Sequence, residues 1–357
     1  MQHVAQNSAT LRGEGGGDMA QQGNEGQHMN ISSIAAELGI SKTTVSRAIS
    51  GKGRVNEATR ARVQEYIRVH DYQPNMMARG LAENRTYNIA MVISRQFSTL
   101  DLPFLRKSMS AIYELASQND YDVLLTMVGE RETAPLVRLL KNRKIDGAIL
   151  TRTLENDPLV PLLKASRLPF VAIGSPTDQD VLQVDNDQIG GCRELTALLL
   201  MKGLHRIALL GGSMLYTVNQ SRLEGYRQAY EQAGVPLDEN LLFLELESES
   251  QRVHAIEHAL NLSPDCILCM DEDVTALVMQ MLKKRGVRVP QDVKVASLYD
   301  SESLLDYMPP VTAVQFDAAA LGHMAVHQLL EVLAGHTVEK RVELGFQVVM
   351  RDSTKTV

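Results

Sequence analysis

The sequence predicts an α/β protein in which a three-helix domain precedes a larger core of parallel β-α-β units. Residues 30–50 contain two short segments, separated by Gly39, whose apolar residues have the spacing of an α-helix. The second segment also has a polar face with an arginine. From Tyr87 onward, short apolar runs alternate with amphipathic stretches. The chain has 357 residues, which is more than one hydrophobic core usually supports, so more than one domain is expected.

Composition and charge restrict the class of protein. The chain is 44% hydrophobic and 22% charged, and no apolar run is long enough to span a bilayer. Its three cysteines are too few for a disulfide framework and favour a cytoplasmic location. Residues 29–86 contain nine Lys or Arg against five Asp or Glu, whereas residues 87–357 contain 26 against 35. A basic first part and an acidic remainder predict DNA binding by the first part only.

The N-terminal region predicts a disordered extension followed by a helix-turn-helix. Residues 1–28 are rich in Gly and Gln, lack the apolar segment of a secretory signal and are expected to be disordered. Translation could equally start at Met19 or Met29. Asn30 is expected to cap the first helix, and Gly39 to end it in a tight turn. The apolar stripe of this helix consists of Ile31, Ile34, Ala35 and Leu38.

The second helix is the candidate recognition helix. Ser41 is expected to cap it, with Val45 and Ile49 facing inward. Its outward face then carries Lys42, Thr43, Ser46 and Arg47. Short hydroxyls and cations at a helix N-terminus suit phosphate and base-edge contacts, although a solvated charged face explains the same pattern. A third helix is predicted from Glu57 with Asn56 as its cap.

A short hinge helix is predicted after Pro74, over residues 75–83. Nine residues are fewer than the roughly 12–15 that an isolated helix needs in water, and Gly80 weakens it by about 1 kcal/mol. The hinge is therefore expected to fold only when two copies pack on DNA. From the residues alone, Leu81 is simply an apolar linker residue.

The core contains seven strand-like apolar runs, each separated from the next by amphipathic segments. They are Ile89–Ser94, Tyr121–Val128, Gly147–Thr151, Phe170–Gly174, Ile207–Gly212, Cys266–Met270 and Val293–Asp300. Because ligands of parallel sheets bind outside the carboxyl ends of the strands, the residues at these ends are expected to meet in a cleft. They include Ser94, Thr151, Gly174, Asp271–Asp273 and Asp300.

Three spaced motifs in the N-terminal part resemble the lactose-repressor (LacI/GalR) family of transcription regulators. They are Ser41-Lys-Thr-Thr-Val-Ser-Arg47, Val55-Asn-Glu-Ala-Thr-Arg60 and Tyr72-Gln-Pro-Asn-Met-Met-Ala-Arg-Gly-Leu81. The resemblance implies that Lys42, Thr43 and Arg47 read bases. It also implies that a second set holds phosphates or orients the helix, namely Ser41, Thr44, Ser46, Asn56, Thr59 and Asn75. Leu81 matches the family's minor-groove wedge.

The core is similar to the same family and to periplasmic sugar-binding proteins, so that the resemblance covers residues 30–354. Landmarks include Val184-Asp-Asn186, Arg222-Leu-Glu-Gly-Tyr226 and Pro310-Val-Thr-Ala-Val314. The resemblance implies that the core has two lobes joined by three crossovers of the chain. The expected domains are an extension (1–28), a helix-turn-helix domain (29–74), a hinge (75–86) and an effector-binding and dimerisation core (87–357). The N-lobe would contain 87–186 and about 315–345, and the C-lobe about 187–314.

The resemblance also implies a small-molecule site between the lobes. Arg222 and Asp300 match residues that clamp ligand hydroxyls; the alternative for either residue is an ion pair between the lobes. Glu272 stands where many members have a neutral amide, which favours a cationic or hydroxyl-rich effector, or indicates that the pocket has drifted. Without any Trp, stacking on a sugar would need Phe97, Phe104, Tyr216 or Phe316. The predicted effector site is Ser94, Thr151, Tyr216, Arg222, Glu272, Asp300 and Phe316.

No catalytic site, metal site or cofactor is predicted. Cys266 and Cys269 are three apart on a strand and therefore point to opposite faces. His254 and His258 share a helix face, but no other ligands of a metal are recognisable. The sequence thus predicts a cytoplasmic, homodimeric transcription regulator, expected to be a repressor, whose affinity for a pseudo-palindromic operator depends on a sugar-like effector. The alternative is a sugar-binding or enzymatic α/β domain with a vestigial DNA-binding head.

Overall fold

The computed structural model describes residues 29–51, 53–72, 76–95, 103–129 and 132–356. The chain divides into two compact units between Ala82 and Glu83. The expectations for residues 1–28, Asn75 and Phe97 lie outside the described residues. Within the described ranges, no helix is both long enough and apolar enough to cross a bilayer.

The first unit contains the predicted helix-turn-helix and a third helix. The helices are α1 (Ile31–Leu38), α2 (Lys42–Ser50), α3 (Glu57–Val69) and α4 (Met76–Glu83), of which α4 crosses the division into the second unit. The three predicted caps are confirmed, because Asn30, Ser41 and Asn56 each accept a hydrogen bond from a backbone amide of the helix that follows. Gly39 ends α1 with a φ of 64°, in the left-handed region that favours glycine. The core of α1–α3 is formed by Ile34, Ala35, Val45, Ala48, Val63 and Tyr72.

The second unit contains two six-stranded sheets. The first sheet consists of β1 (Asn88–Ser94), β2 (Asp122–Val128), β3 (Gly147–Leu150), β4 (Phe170–Ile173), β5 (Leu182–Asn186) and β11 (Arg341–Leu344). Its order is β11-β5-β4-β3-β1-β2, and all neighbouring pairs are parallel. The second sheet consists of β6 (Ile207–Leu210), β7 (Leu242–Phe243), β8 (Cys266–Cys269), β9 (Lys294–Ser297), β10 (Thr312–Phe316) and β12 (Phe346–Val349). Its order is β12-β10-β9-β8-β6-β7, with β10 and β12 antiparallel.

Helices cover both faces of each sheet. The helices around the first sheet are α5 (Pro103–Gln118), α6 (Ala134–Lys141), α7 (Leu159–Ser166) and α12 (Ala318–Leu333). Those around the second sheet are α8 (Gln188–Met201), α9 (Thr217–Ala233), α10 (Glu249–Asn261) and α11 (Glu272–Arg285). This enclosure explains why the central strands are apolar on both sides. The predicted fold class, a helix-turn-helix followed by two parallel-sheet lobes, is confirmed.

The chain passes between the two sheets three times. It leaves the first sheet after Asn186, returns after Phe316 through α12 and β11, and leaves again at Gly345 for β12. Cys266 and Cys269 lie in the cores on opposite faces of the second sheet, as the odd spacing predicted. Each lobe is therefore built from segments that are distant in the sequence.

Candidate DNA-binding surface and ligand cavity

Helix α2 presents a polar surface that its N-cap and its buried face orient. Ser41 Oγ accepts the amide of Thr44 at 3.1 Å, and the two side-chain hydroxyls lie 2.8 Å apart. Val45 and Ala48 are buried in the domain core. The side chains of Lys42, Thr43, Ser46 and Arg47 on α2 are exposed. The outward face predicted from the sequence is thus the face that the structure exposes.

Gly53 is a neighbour of Arg47 that the sequence did not reveal. It has a φ of +84°, and a Cβ there would lie 3.2 Å from Cδ of Arg47. Glycine at this position therefore leaves room for the aliphatic part of the arginine side chain and permits the left-handed backbone. A positive φ cannot be recognised from one glycine in a loop.

The other predicted DNA-contacting residues lie at helix starts and on α4. Asn56 Oδ1 accepts the amide of Thr59 at 3.1 Å, so this pair fixes the first turn of α3. Leu81 on α4 has a side chain that is 87% exposed. The structure thus places Leu81 on a surface and not in a core.

A cavity of about 160 Å³ lies in the second unit, at the carboxyl ends of strands from both sheets. Ser94 and Thr151 line it from the first lobe, and Arg222 and Glu272 line it from the second. The Thr151 hydroxyl donates to the carbonyl of Val92 at 2.9 Å, which leaves its oxygen as an acceptor. Four of the seven predicted effector residues therefore meet in one cavity, at the place that parallel-sheet topology predicts.

Arg222 is a buried cation in the cavity wall. Its Nε donates to Gln188 Oε1 at 3.0 Å, and its Nη1 donates to the carbonyl of Met270. Burial lowers the pKa of Arg222, while the negative charge of Asp271 opposes this effect. These contacts hold the guanidinium group in one orientation.

Asp185 is a cavity residue that the sequence analysis did not include in the site. It is buried at the end of β5, accepts the Ser175 hydroxyl at 2.8 Å and accepts the amide of Asn186 at 2.8 Å. Burial raises the pKa of Asp185 to about 6, although these two hydrogen bonds act in the opposite direction. The motif Val184-Asp-Asn186 was recognised as a landmark only, because nothing local shows that its carboxyl group faces a cavity.

Two aromatic rings from different lobes meet at the cavity. Phe104 of α5 and Tyr299, which follows β9, both line it, with ring centroids 5.4 Å apart and planes at 87°. Phe104 also packs against the core of each lobe. Of the aromatic residues proposed for stacking, Phe104 lies in this wall, whereas Tyr216 and Phe316 do not.

Three predicted effector residues do not line this cavity. Tyr216 is buried beside it, with the guanidinium carbon of Arg152 3.7 Å from the centre of its ring. Phe316 packs in the core of the second lobe against Phe346. Asp300 accepts two hydrogen bonds from Arg351, at 2.7 and 2.6 Å, in a pair with little exposure. We correct the predicted site accordingly, because these side chains are used in packing and in an ion pair.

Contacts between the lobes border the cavity. The amide of Thr217 donates to the carbonyl of Thr153 at 3.3 Å. The amide of Glu155 donates to the carbonyl of Leu215 at 2.7 Å. Lys107 of α5 and Glu302 form an exposed ion pair at 3.0 Å. Since residues of both lobes take part, a change in the angle between the lobes would alter these contacts and the cavity together.

The described residues contain no cluster of three or more side chains that could bind a metal ion. His258 contacts the ring of Phe243, with centroids 5.5 Å apart. Burial raises the pKa of all three cysteines, to about 12 for Cys192, so each thiol stays protonated near neutral pH.

Comparison with known proteins identifies both parts of the chain. A family model described as bacterial regulatory proteins, lacI family, matches residues 30–75, and one for a periplasmic binding protein-like domain matches residues 196–354. The HTH-type transcriptional regulator CelR of Thermobifida fusca is 31% identical over 328 residues, which cover 90% of this chain and 96% of CelR. The chain belongs to the lacI family. This member of the family is a DNA-binding transcriptional regulator.

Other members and solved structures agree with this assignment. MalR of Staphylococcus xylosus is 27% identical over 338 residues, covering 92% of this chain and 99% of MalR. A solved complex of the transcriptional regulator CelR with cellobiose is 29% identical, and the match covers 91% of this chain and 99% of that chain with a TM-score of 0.69. A lac repressor dimer bound to operator and the anti-inducer ONPF has a TM-score of 0.75 at 22% identity, covering 92% and 99%. The latter similarity concerns the fold.

Proposed function

We propose that this lacI-family regulator is a homodimeric repressor that binds a pseudo-palindromic operator and is controlled by a sugar-like effector. The observation that supports effector control most directly is the cavity whose walls come from both lobes. A ligand in such a cavity binds the two lobe arrangements with different affinity and therefore shifts their populations. The related CelR structure is a complex with cellobiose, which points in the same direction.

In the proposed complex, α2 lies in the major groove. Arg47 donates two hydrogen bonds to a guanine, and Lys42 and Thr43 contact neighbouring base edges. A second group contacts phosphates or keeps the helix starts in place, namely Ser41, Thr44, Ser46, Asn56, Thr59 and Asn75. The exposed Leu81 inserts into a base step of the minor groove, where its apolar surface leaves water.

In the proposed effector site, hydroxyl groups of the ligand bind polar side chains of both lobes. Ser94, Thr151 and Asp185 act from the first lobe, and Arg222 and Glu272 act from the second. Phe104 and Tyr299 supply apolar surface for the ligand ring. In the dimer, a change in the arrangement of the lobes changes the spacing of the two hinge segments. Operator affinity changes as a result.

The DNA-binding proposal is tested by selecting ligands for the full-length protein from random duplex DNA. We expect enrichment of a pseudo-palindrome with half-site centres about 10 bp apart. Arg47→Ala should weaken binding to this sequence by about 1–3 kcal/mol and relax the preference at one base pair of each half-site, measured by fluorescence anisotropy. The exposed Arg68, which pairs with Glu65 on α3, offers Arg68→Ala as a control with little effect on base preference.

Two outcomes would contradict the proposal. If the wild-type protein enriches no sequence, the alternative of a sugar-binding domain with a vestigial head is favoured. If Arg47→Ala weakens binding to all sequences equally, Arg47 contacts phosphate and does not read a base.

A further inference from the structure

The carboxylate of Glu272 lacks a counterion in the cavity wall. Glu272 is the first residue of α11, lines the cavity and is 9% exposed. Its Oε1 accepts a hydrogen bond from the Ser303 hydroxyl. Its Oε2 is buried and accepts no hydrogen bond from the part of the chain that the structure describes, nor does Glu272 form an ion pair there. A buried carboxylate in this state is unfavourable until a donor and a positive charge reach it.

The Ser303 hydroxyl and two phenol groups lie near the carboxylate of Glu272. Besides Ser303, its charge acts on the phenol groups of Tyr299 and Tyr307, whose pKa values are raised by burial first and by Glu272 second. Both phenols therefore stay protonated near neutral pH, and neither supplies a cation.

Arg222 and Arg252, which also line the cavity, donate hydrogen bonds to groups other than Glu272. Arg222 donates to Gln188 and to the carbonyl of Met270, and Arg252 donates to the carbonyl of Leu246 at 3.1 Å. Asp271, the cap of α11, is the nearby carboxylate that opposes the effect of burial on the pKa values of both Arg222 and Arg152. Asp271 thus acts on both of these cations, whereas Glu272 forms no ion pair with a residue that the structure describes.

We propose that the effector carries a protonated amine that binds Glu272, which makes amino sugars the ligand class of this cavity. A neutral sugar hydroxyl would supply a hydrogen-bond donor without a charge. An ammonium group supplies both, and charge-assisted hydrogen bonds are about twice as strong as neutral ones. The inference rests on the proposed function, because it assigns the chemistry of the same effector site.

The test compares sugars that differ only in an amine and a hydroxyl. Isothermal titration calorimetry of the full-length protein at pH 7 would use glucosamine against glucose, galactosamine against galactose, and the glucosamine disaccharide against cellobiose. In at least one pair, the amine should bind about tenfold or more tightly than its hydroxyl partner. The proposal is overturned if every hydroxyl member binds as tightly as its amine, or if no amine binds.

Two matched variants test whether Glu272 is the residue that binds the amine. Glu272→Gln keeps the size of the side chain and should weaken amine binding by about tenfold, with little change for the hydroxyl partner. The control is Glu249→Gln, because Glu249 is likewise the first residue of a helix in the second lobe but is exposed. Equal losses in both variants would mean that the overall negative charge attracts the amine, which contradicts a specific contact.

The same ligands also separate this inference from the proposed function. If cellobiose or another neutral sugar binds and changes operator affinity while the amines do not, effector control stands and the amine assignment fails. If no ligand of any pair changes binding to the selected operator, sugar control of the operator fails as well.

Discussion

At the scale of single residues, function depends on partners that are far away in the sequence. Asp300 follows a strand and was predicted to bind effector, but its carboxylate pairs with Arg351, 51 residues later. The local spacing of Asp300 contains no information about that arginine. Asp185 was overlooked for the same reason, since its position in a cavity depends on the packing of both lobes. In contrast, the caps Asn30, Ser41 and Asn56 were predictable because a cap and its amide are at most three residues apart.

Breaking the Asp300–Arg351 pair should destabilise the second unit. Asp300→Asn leaves a guanidinium group that is 12% exposed without a counterion, and we expect a loss of about 3–5 kcal/mol in unfolding free energy from urea denaturation. The control Asp180→Asn removes a partner of Lys340 from a highly exposed pair and should have a much smaller effect. A stable Asp300→Asn protein with greatly weakened effector binding would instead restore Asp300 to the effector site.

At the scale of elements, continuous apolar runs predicted seven of the strands that the structure describes. The seven predicted runs correspond to β1–β4, β6, β8 and β9, with ends that differ by a few residues. Among the described strands, those not predicted are β5, β7, β10, β11 and β12. Strand β7 has two residues, β11 and β12 are half-exposed, and the buried β5 and β10 contain polar residues such as Asp185 and Gln315. The apolar pattern therefore fails where a strand is short, half-exposed or interrupted by polar side chains.

The contact between α5 and α12 depends on a glycine. A Cβ at Gly322 of α12 would overlap the carbonyl oxygen of Ser108 in α5, so the two helix backbones lie unusually close. Gly322→Ala should lower the unfolding free energy by about 1–3 kcal/mol, because the helices must separate. Gly345→Ala is the matched control, since a Cβ there meets no atom within 4 Å. An unchanged midpoint of urea denaturation in Gly322→Ala would show that the helices adjust without cost.

At the scale of the whole molecule, the sequence predicted the class and the order of the parts. Charge distinguished a basic first part from an acidic remainder, and the division between Ala82 and Glu83 separates a small unit from a large one. The first unit has its own core, which shares no residue with the cores of the two lobes. What the sequence could not provide is the composition of the cavity, because its walls combine residues from strands, helices and loops of both lobes.

Separate cores should give separate unfolding transitions. Val63→Ala removes two methyl groups from a fully buried side chain of α3 and should destabilise the first unit by about 2 kcal/mol. Calorimetry should show a shift in one transition only, with the transition of the second unit unchanged. Val184→Ala, at an equally buried position in β5, should shift the transition of the second unit and leave that of the first unit unchanged. A single transition that both variants shift would show that the units unfold together.

The three passages of the chain between the sheets also have a consequence for synthesis on the ribosome. Helix α12 and strand β11 belong to the first lobe, but they are translated after β10 of the second. One side of β5 and the apolar surface of α5 therefore lack their native partners while most of the second lobe emerges. The nascent chain must keep this surface from aggregating until residue 344 has left the exit tunnel.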